Sequence, residues 1–204
     1  MQPTFIAISG GTGSGKTYLS KLLINELGPE KVIRIELDSY YKSKPNLEFI
    51  ERENLNYDHP ESIDIDLLKM HLNKLSKNQK ILMPRYNFSE HLRSKELKET
   101  LPTKIVIVEG ILVLHFVEIF NFFNLKIFLD IPGDIRFIRR LKRDTKERGR
   151  SLDSIMNQYL KTVEPMYRQF IAPCEKLADL IISDQNDISN SIQKIKLILS
   201  EQEK

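Results

Sequence analysis

Short apolar runs alternate with stretches of helical period along most of this chain. Residues 4–9 (TFIAIS) form an apolar run stopped by glycine, which predicts a buried strand. Residues 16–27 place Leu19, Leu22, Leu23 and Leu27 at the helical period, and Gly28 and Pro29 stop that helix. Residues 32–36 predict a second strand. Residues 37–62 mix polar, aromatic and proline residues with no long period, so they predict an irregular excursion with a short helix near 48–53. Residues 64–76 repeat Leu67, Leu68, Leu72 and Leu75, again a helix. Residues 80–88 and 94–101 are extended candidates around a polar link and predict a β-ribbon outside the main sheet. Residues 104–109 (KIVIVE) make the strongest strand, β-branched throughout its middle and closed by a carboxylate and Gly110. Strands over 125–130 and 178–183 and helices over 134–147, 151–163 and 188–202 complete the pattern. Such alternation predicts an α/β fold: a five-stranded parallel sheet flanked by helices on both faces.

The chain has 204 residues, and with 41% hydrophobic residues it can bury a core without disulfides or metal. One domain spanning 1–204 is expected. The 31 Lys+Arg nearly balance 28 Asp+Glu, a net charge of +3, so neither nucleic acid nor a membrane surface is an expected partner. The single cysteine, Cys174, excludes an internal disulfide and reads as a small buried hydrophobe rather than a nucleophile. The N-terminal residues lack a basic region and a long apolar run, so a cytoplasmic protein is expected.

Candidate chemistry concentrates in residues 10–17. Gly10-Gly11-Thr12-Gly13-Ser14-Gly15-Lys16-Thr17 matches G-x-x-x-x-G-K-[ST] in full, between a strand and a helix. The chain has eight glycines, and four fall within 10–15. Glycine lets successive N–H groups point inward, and the following helix adds its N-terminal partial charge, which suits a triphosphate. This predicts a P-loop NTPase fold in which Lys16 reaches the β- and γ-phosphates and the Thr17 hydroxyl binds Mg²⁺. A dinucleotide fingerprint fails, because Lys16 stands where it requires glycine. Glu109, at the end of the strongest strand, is the expected second acid on the metal side.

Among P-loop proteins, a GTPase would need a guanine-reading Asn/Thr-Lys-x-Asp, which is absent, and a motor would normally be longer. A kinase needs a base, cations and an acceptor pocket. Asp38, after the second strand, is a candidate base; the other reading is a turn carboxylate. Arg136, Arg139, Arg140, Lys142, Arg143, Arg148 and Arg150 form the densest charge, either a solvated face or a mobile lid over 136–150. Tyr57-Asp58-His59-Pro60 and Tyr86-Asn87-Phe88-Ser89-Glu90-His91 mix aromatics with hydrogen-bonding groups, either as core residues or as a pocket for a flat base.

With these segments in order, GGTGSGKT, LDSYY, NYDHPESID, PRYNFSEHLR, IVIVEGIL, RRLKRDTKERGRS and QYLKTVEPM, the chain resembles the uridine kinase (uridine-cytidine kinase) family from end to end. The resemblance implies phosphoryl transfer from ATP or GTP, with Mg²⁺, to the 5′-hydroxyl of uridine or cytidine in pyrimidine salvage, by a homotetramer. It implies Asp38 as general base and Asp58 and Arg140 as holders of the ribose hydroxyls. Tyr41, Tyr57 and Phe88 would line the pocket, with Gln158 as a polar group in it. Tyr86, His91 and Arg150 would read the pyrimidine edge. Arg143 and Arg148 would be lid cations on the donor, beside Lys16, and Thr17 and Glu109 would stand on the magnesium side. The ribbon over 79–101 would be a β-hairpin insertion above the nucleoside. Two departures from the family stand out. Residues 183–186 (SDQN) replace a Pro-Arg-Gly-Gly-like turn near the donor base, and Arg85 replaces a small apolar residue. The rival readings are another kinase of this fold, acting on pantothenate or ribulose phosphate, and a nucleotide-binding regulator without turnover.

Overall fold

A computed structural model describes residues 2–184 and 188–202. Strand β1 (Thr4–Gly10) runs through the middle of a parallel sheet and ends at the phosphate-loop sequence. Helix α1 (Lys16–Leu27) follows and stops at Gly28, whose φ of 100° suits a residue without a Cβ. Strand β2 (Val32–Glu36) leads into a 3₁₀ turn, Leu37–Tyr40, and then into the irregular excursion with its short helix α2 (Phe49–Glu53). Helix α3 (Ile65–Ser76) begins at Asp64, whose carboxylate accepts the Leu67 N–H at 3.2 Å.

The predicted ribbon is present but broken into two nested pieces. Strands β3 (Ile81–Met83), β4 (Tyr86–Asn87), β5 (Leu92–Arg93) and β6 (Lys98–Thr100) pair as β3 with β6 and β4 with β5. Pro84 lacks an N–H for the ladder, and the Ser94 N–H to Arg85 carbonyl bond at 2.8 Å carries the ribbon across the break. Arg93 anchors its inner piece, donating to Asp64 at 3.0 Å and to the Tyr40 carbonyl at 2.9 Å.

Strand β7 (Ile105–Glu109), helix α4 (Val117–Phe120) and strand β8 (Leu125–Leu129) return the chain to the sheet. Helix α5 (Gly133–Arg148) and helix α6 (Leu152–Gln158) follow. The helix predicted to end at 163 instead runs on: π-helical turns at Tyr159–Val163 and Tyr167–Ile171 flank α7 (Glu164–Met166). Pro165 cannot donate inside a helix, and the wider turns on either side accommodate it without ending the rod. Strand β9 (Leu180–Ile182) and helix α8 (Ile188–Gln202) complete the described chain.

The sheet order is β2-β7-β1-β8-β9, all parallel. Ile6, Ile8, Ile107 and Ile127 face α1 and α8, while Ala7, Val106, Val108 and Phe128 face α3 and α4. This two-sided burial is why the strands read as continuous apolar runs. β1 connects to β2, two places away, so the direction of winding changes beside β1 and opens a crevice at the carboxyl ends of β1, β2 and β7.

Cys174 is buried, as its sequence context predicts. Its thiol contacts the Phe170 carbonyl at 3.1 Å, and burial pushes it up to about 11. One buried polar pair bridges the excursion to α3: the Tyr40 hydroxyl lies 2.8 Å from His71 Nδ1. Burial pushes the tyrosine up and the histidine down, so both stay neutral and satisfy each other. Tyr40→Phe strands the imidazole nitrogen and should cost about 1–3 kcal/mol in urea denaturation. A change under about 0.3 kcal/mol would show that this bond carries no stability.

Candidate active site

The phosphate loop is held by its neighbours as tightly as by its glycines. Gly13 and Gly15 have φ of 75° and 98°. A Cβ on Gly13 would meet the Arg136 carbonyl at 2.3 Å, and one on Gly11 would meet Arg136 Nη1 at 2.2 Å. Arg136 is therefore a wall of the loop and not a lid cation. It is buried, donates from Nε to the Ile131 carbonyl at 2.9 Å, and places its guanidinium 3.9 Å from the Tyr167 ring centre.

Lys16 is buried at the foot of the loop and donates to the carbonyls of Gly10 and Gly11 at 2.9 and 3.0 Å. An ammonium has three N–H groups, so one more acceptor can be served. Burial lowers Lys16 to about 8, opposed by the charges of Glu109 and Asp38. Glu109 lies on the same floor: its Oε2 accepts the Thr17 hydroxyl at 3.1 Å and its Oε1 lies 3.5 Å from Arg34 Nη1. Burial raises Glu109, offset first by Lys16. Arg34 also pairs with Glu36, which stands directly opposite Glu109 in the register of β2 and β7. One guanidinium thus separates two like charges on adjacent strands.

Asp38 sits in the 3₁₀ turn after β2. Its backbone carbonyl, not its carboxylate, closes that turn to the Tyr41 N–H at 3.3 Å, so the turn-cap reading is not realised. A Cβ on Gly110 would come within 2.4 Å of the Leu37 Cβ, which shows how closely the ends of β2 and β7 approach. The Asp38 charge acts on Lys16, Glu109 and Asp58.

The aromatic residues of the two irregular segments meet as one cage. Tyr41 contacts Tyr57 and Tyr86 with ring centres 5.0 and 5.2 Å apart, Tyr86 contacts Phe88 at 5.3 Å, and His91 stacks on Tyr57 at 5.5 Å. The Tyr57 hydroxyl is taken by the Arg52 carbonyl at 3.0 Å. The Tyr86 hydroxyl is buried beside the Tyr57 side chain, and burial raises it. His91 has φ 52°, left-handed for a non-glycine residue, and burial lowers its imidazole. Arg52 steadies it, donating from Nε to the neighbouring Glu90 carbonyl at 3.1 Å.

Asp58 is buried beside this cage. Burial raises it, while Arg140 and Lys16 pull it down. Arg140 donates to the Thr12 hydroxyl at 3.1 Å and to Gln158 Oε1 at 2.7 Å, and Arg150 donates to the same Gln158 oxygen at 2.6 Å. Gln158 therefore ties two arginines together through its oxygen. The guanidinium of Arg148 lies 4.8 Å from the Phe88 ring centre, joining α5 to the ribbon. Arg143, Arg148, Arg140 and Arg150 all turn toward Asp144, a fully buried acid in the basic run. Arg85 points away, to Glu96 at 3.7 Å on the exposed ribbon.

The structure thus brings residues 10–17, Asp38, Glu109, Asp58, the aromatic cage and Arg140, Arg143, Arg148 and Arg150 to one crevice. Sequence reasoning missed Arg34, Arg52, Arg93 and Asp144. The available signal was charge out of pattern: an arginine inside an apolar strand, one inside an acidic helix, and an acid inside a basic one. Gln185 and Asn186, in the segment expected near the donor base, lie outside the described residues.

Known proteins resemble this chain in sequence and in fold. The chain is 47% identical over 205 residues to a uridine kinase of Clostridium novyi (strain NT), covering 98% of this chain and 99% of that one. It is 49% identical over 183 residues to a uridine kinase of Clostridium tetani (strain Massachusetts / E88), covering 90% and 88%. Among solved structures, a putative fructose transport system kinase from Silicibacter sp. TM1040 superposes with TM-score 0.73 at 19% identity, covering 89% of this chain and 90% of that one. Phosphoribulokinase from Rhodobacter spheroides superposes with TM-score 0.68 at 15% identity, covering 89% and 70%. At those identities the likeness establishes the P-loop kinase fold alone. Residues 5–189 match the model of the phosphoribulokinase / uridine kinase family, and the chain belongs to that family.

Proposed function

We propose that this protein is a uridine kinase of pyrimidine salvage, transferring the γ-phosphoryl group of ATP to the 5′-hydroxyl of uridine. Its near full-length relatives bear that name. The observation that carries the acceptor assignment is the pocket wall: Asp58, buried under the charges of Arg140 and Lys16, stands beside the aromatic cage of Tyr41, Tyr57 and Tyr86.

Each role follows from chemistry at that place. Lys16 and the N–H groups of residues 10–17 hold the phosphates. Thr17 and Glu109 suit Mg²⁺, since their hard oxygens are already adjacent and a triphosphate supplies further oxygen ligands. Among the described residues no group of three or more His, Cys, Asp or Glu could hold an ion without such help. The cation, when bound, neutralises charge on the phosphoryl oxygens. Asp38 takes the proton of the 5′-hydroxyl as that oxygen attacks phosphorus and the bond to the leaving diphosphate oxygen breaks. Arg143 and Arg148 meet the charge of the transferring group.

Asp58 and Arg140 hold the ribose hydroxyls. Tyr41, Tyr57 and Phe88 pack the nucleoside, while Tyr86, His91 and Arg150 read the base edge, with Gln158 fixing the arginines. A lowered His91 is neutral near pH 7 and can donate from one nitrogen and accept at the other. Its tautomers suit both the carbonyl of uracil and the amine of cytosine, so the proposal includes cytidine as acceptor; it also admits GTP as donor. Among the described residues no helix is long and apolar enough to cross a membrane. The proposal places the enzyme in the cytoplasm as a homotetramer, for which exposed Leu82, Leu97 and Leu101 offer apolar surface.

Purified protein with Mg·ATP and uridine should release UMP, and uridine should raise its melting temperature where pantothenate and ribulose phosphate do not. Absence of UMP would defeat the enzyme reading, and stabilisation by one of the other acceptors would transfer it to another kinase of the fold. Asp38→Asn should lower kcat by about 10²–10⁴-fold while the Kd for Mg·ATP stays within about threefold. Turnover near that of the wild type would remove Asp38 as the base.

A further inference from the structure

Asp144 has no role in the scheme above, yet it is the most connected charge in the crevice. Its side chain is fully buried. Oδ1 accepts from Arg143 at 2.8 Å and lies 3.6 Å from Arg148 Nη1. Oδ2 lies 3.4 Å from Arg140 Nε and 4.0 Å from Arg150 Nη1. The 3.4 Å approach lacks hydrogen-bond geometry, so Oδ2 attracts its arginines as a charge and not through a directed bond. Its backbone carbonyl has a separate task, accepting the N–H of Gly149 and that of Arg150, which ends α5.

The four arginines fall on two sides of the proposed reaction: Arg140 and Arg150 on the nucleoside, Arg143 and Arg148 on the donor. Four guanidinium groups crowded together repel one another, and a single buried carboxylate is the one described acid that touches all four. Stability alone does not account for it, since buried ion pairs are often replaceable by apolar residues at no cost. We propose that Asp144 is a positioning residue, the seat on which the lid arginines are aligned, linking the guanidinium groups of the acceptor side to those of the donor side. This rests on the uridine kinase reading. Phosphate oxygens then complete the coordination of Arg143 and Arg148 without those side chains having to be ordered at the moment of reaction.

Asp144→Asn keeps the shape and the backbone carbonyl and removes the charge. We expect kcat for uridine to fall by about 30–100-fold while the KM for ATP changes by less than about threefold. The decisive readout is a double-mutant cycle. If Asp144 acts through Arg143, its effect on kcat should be at least about tenfold smaller in an Arg143→Ala background. A loss that is not reduced tenfold in that background, or no loss in the single variant, would overturn the proposal. The wild-type assay separates the two ideas, because failure to make UMP at all defeats the uridine kinase reading before any variant is compared. Should Asp144→Asn not fold, guanidinium NMR of the wild-type protein carries the test. Restricted rotation of the Arg143 side chain, altered by Mg²⁺ with a non-hydrolysable ATP analogue, is expected; free averaging before and after addition would overturn the assignment.

Discussion

The buried ammonium of Lys16 is the charge around which the crevice is organised. It lies beneath the loop it belongs to, held by two of that loop's carbonyls, and burial alone would drive it toward neutrality. Glu109 and Asp38 oppose that drift, and Asp58 feels the same cation. Burial in turn pushes Glu109 and Asp58 up, and the Lys16 charge opposes this at both. Their positions come from the sheet: β1 delivers the loop, β7 delivers Glu109, and the turn after β2 delivers Asp38.

Helix α5 shows the same constraint from the other side. Its buried stripe is Arg136, Arg140 and Asp144 at spacing four, whereas Ile135 and Ile138 face outward. A helix that buries charge must find partners for it, and α5 finds them in the loop, in Gln158 and in its own acid. Arg136 spans the boundary, belonging to the helix in sequence and to the wall of the phosphate loop in space.

The sheet was legible because parallel strands buried on both faces carry unbroken apolar runs, and the phosphate loop because its glycines cluster. Helix ends marked by Gly28 and Asp64 were legible for the same local reasons. The helix through Pro165 was not, since proline ordinarily ends a helix and only the π-helical turns reveal its accommodation. The break in the ribbon follows from Pro84, yet the tie through Arg93 to Asp64 joins residues 29 apart and leaves no periodic trace. The roles of Asp144 and Arg52 were hidden for a related reason: a charge inside a charged segment reads as solvated surface until burial is known. The family resemblance supplied the candidate pocket residues, and the structure adds what holds them, as with the Arg52 bond beside the left-handed His91.

We propose that buried charge beside the phosphate loop selects a ribonucleoside. Asp58 is buried within reach of the Arg140 charge, and a ligand without a 2′-hydroxyl would leave one of that pair short of a partner. The direct measurement is kcat/KM for uridine against 2′-deoxyuridine at saturating Mg·ATP. A preference for uridine of about 10²-fold or more is expected. Equal values would contradict it and leave Asp58 as a structural acid.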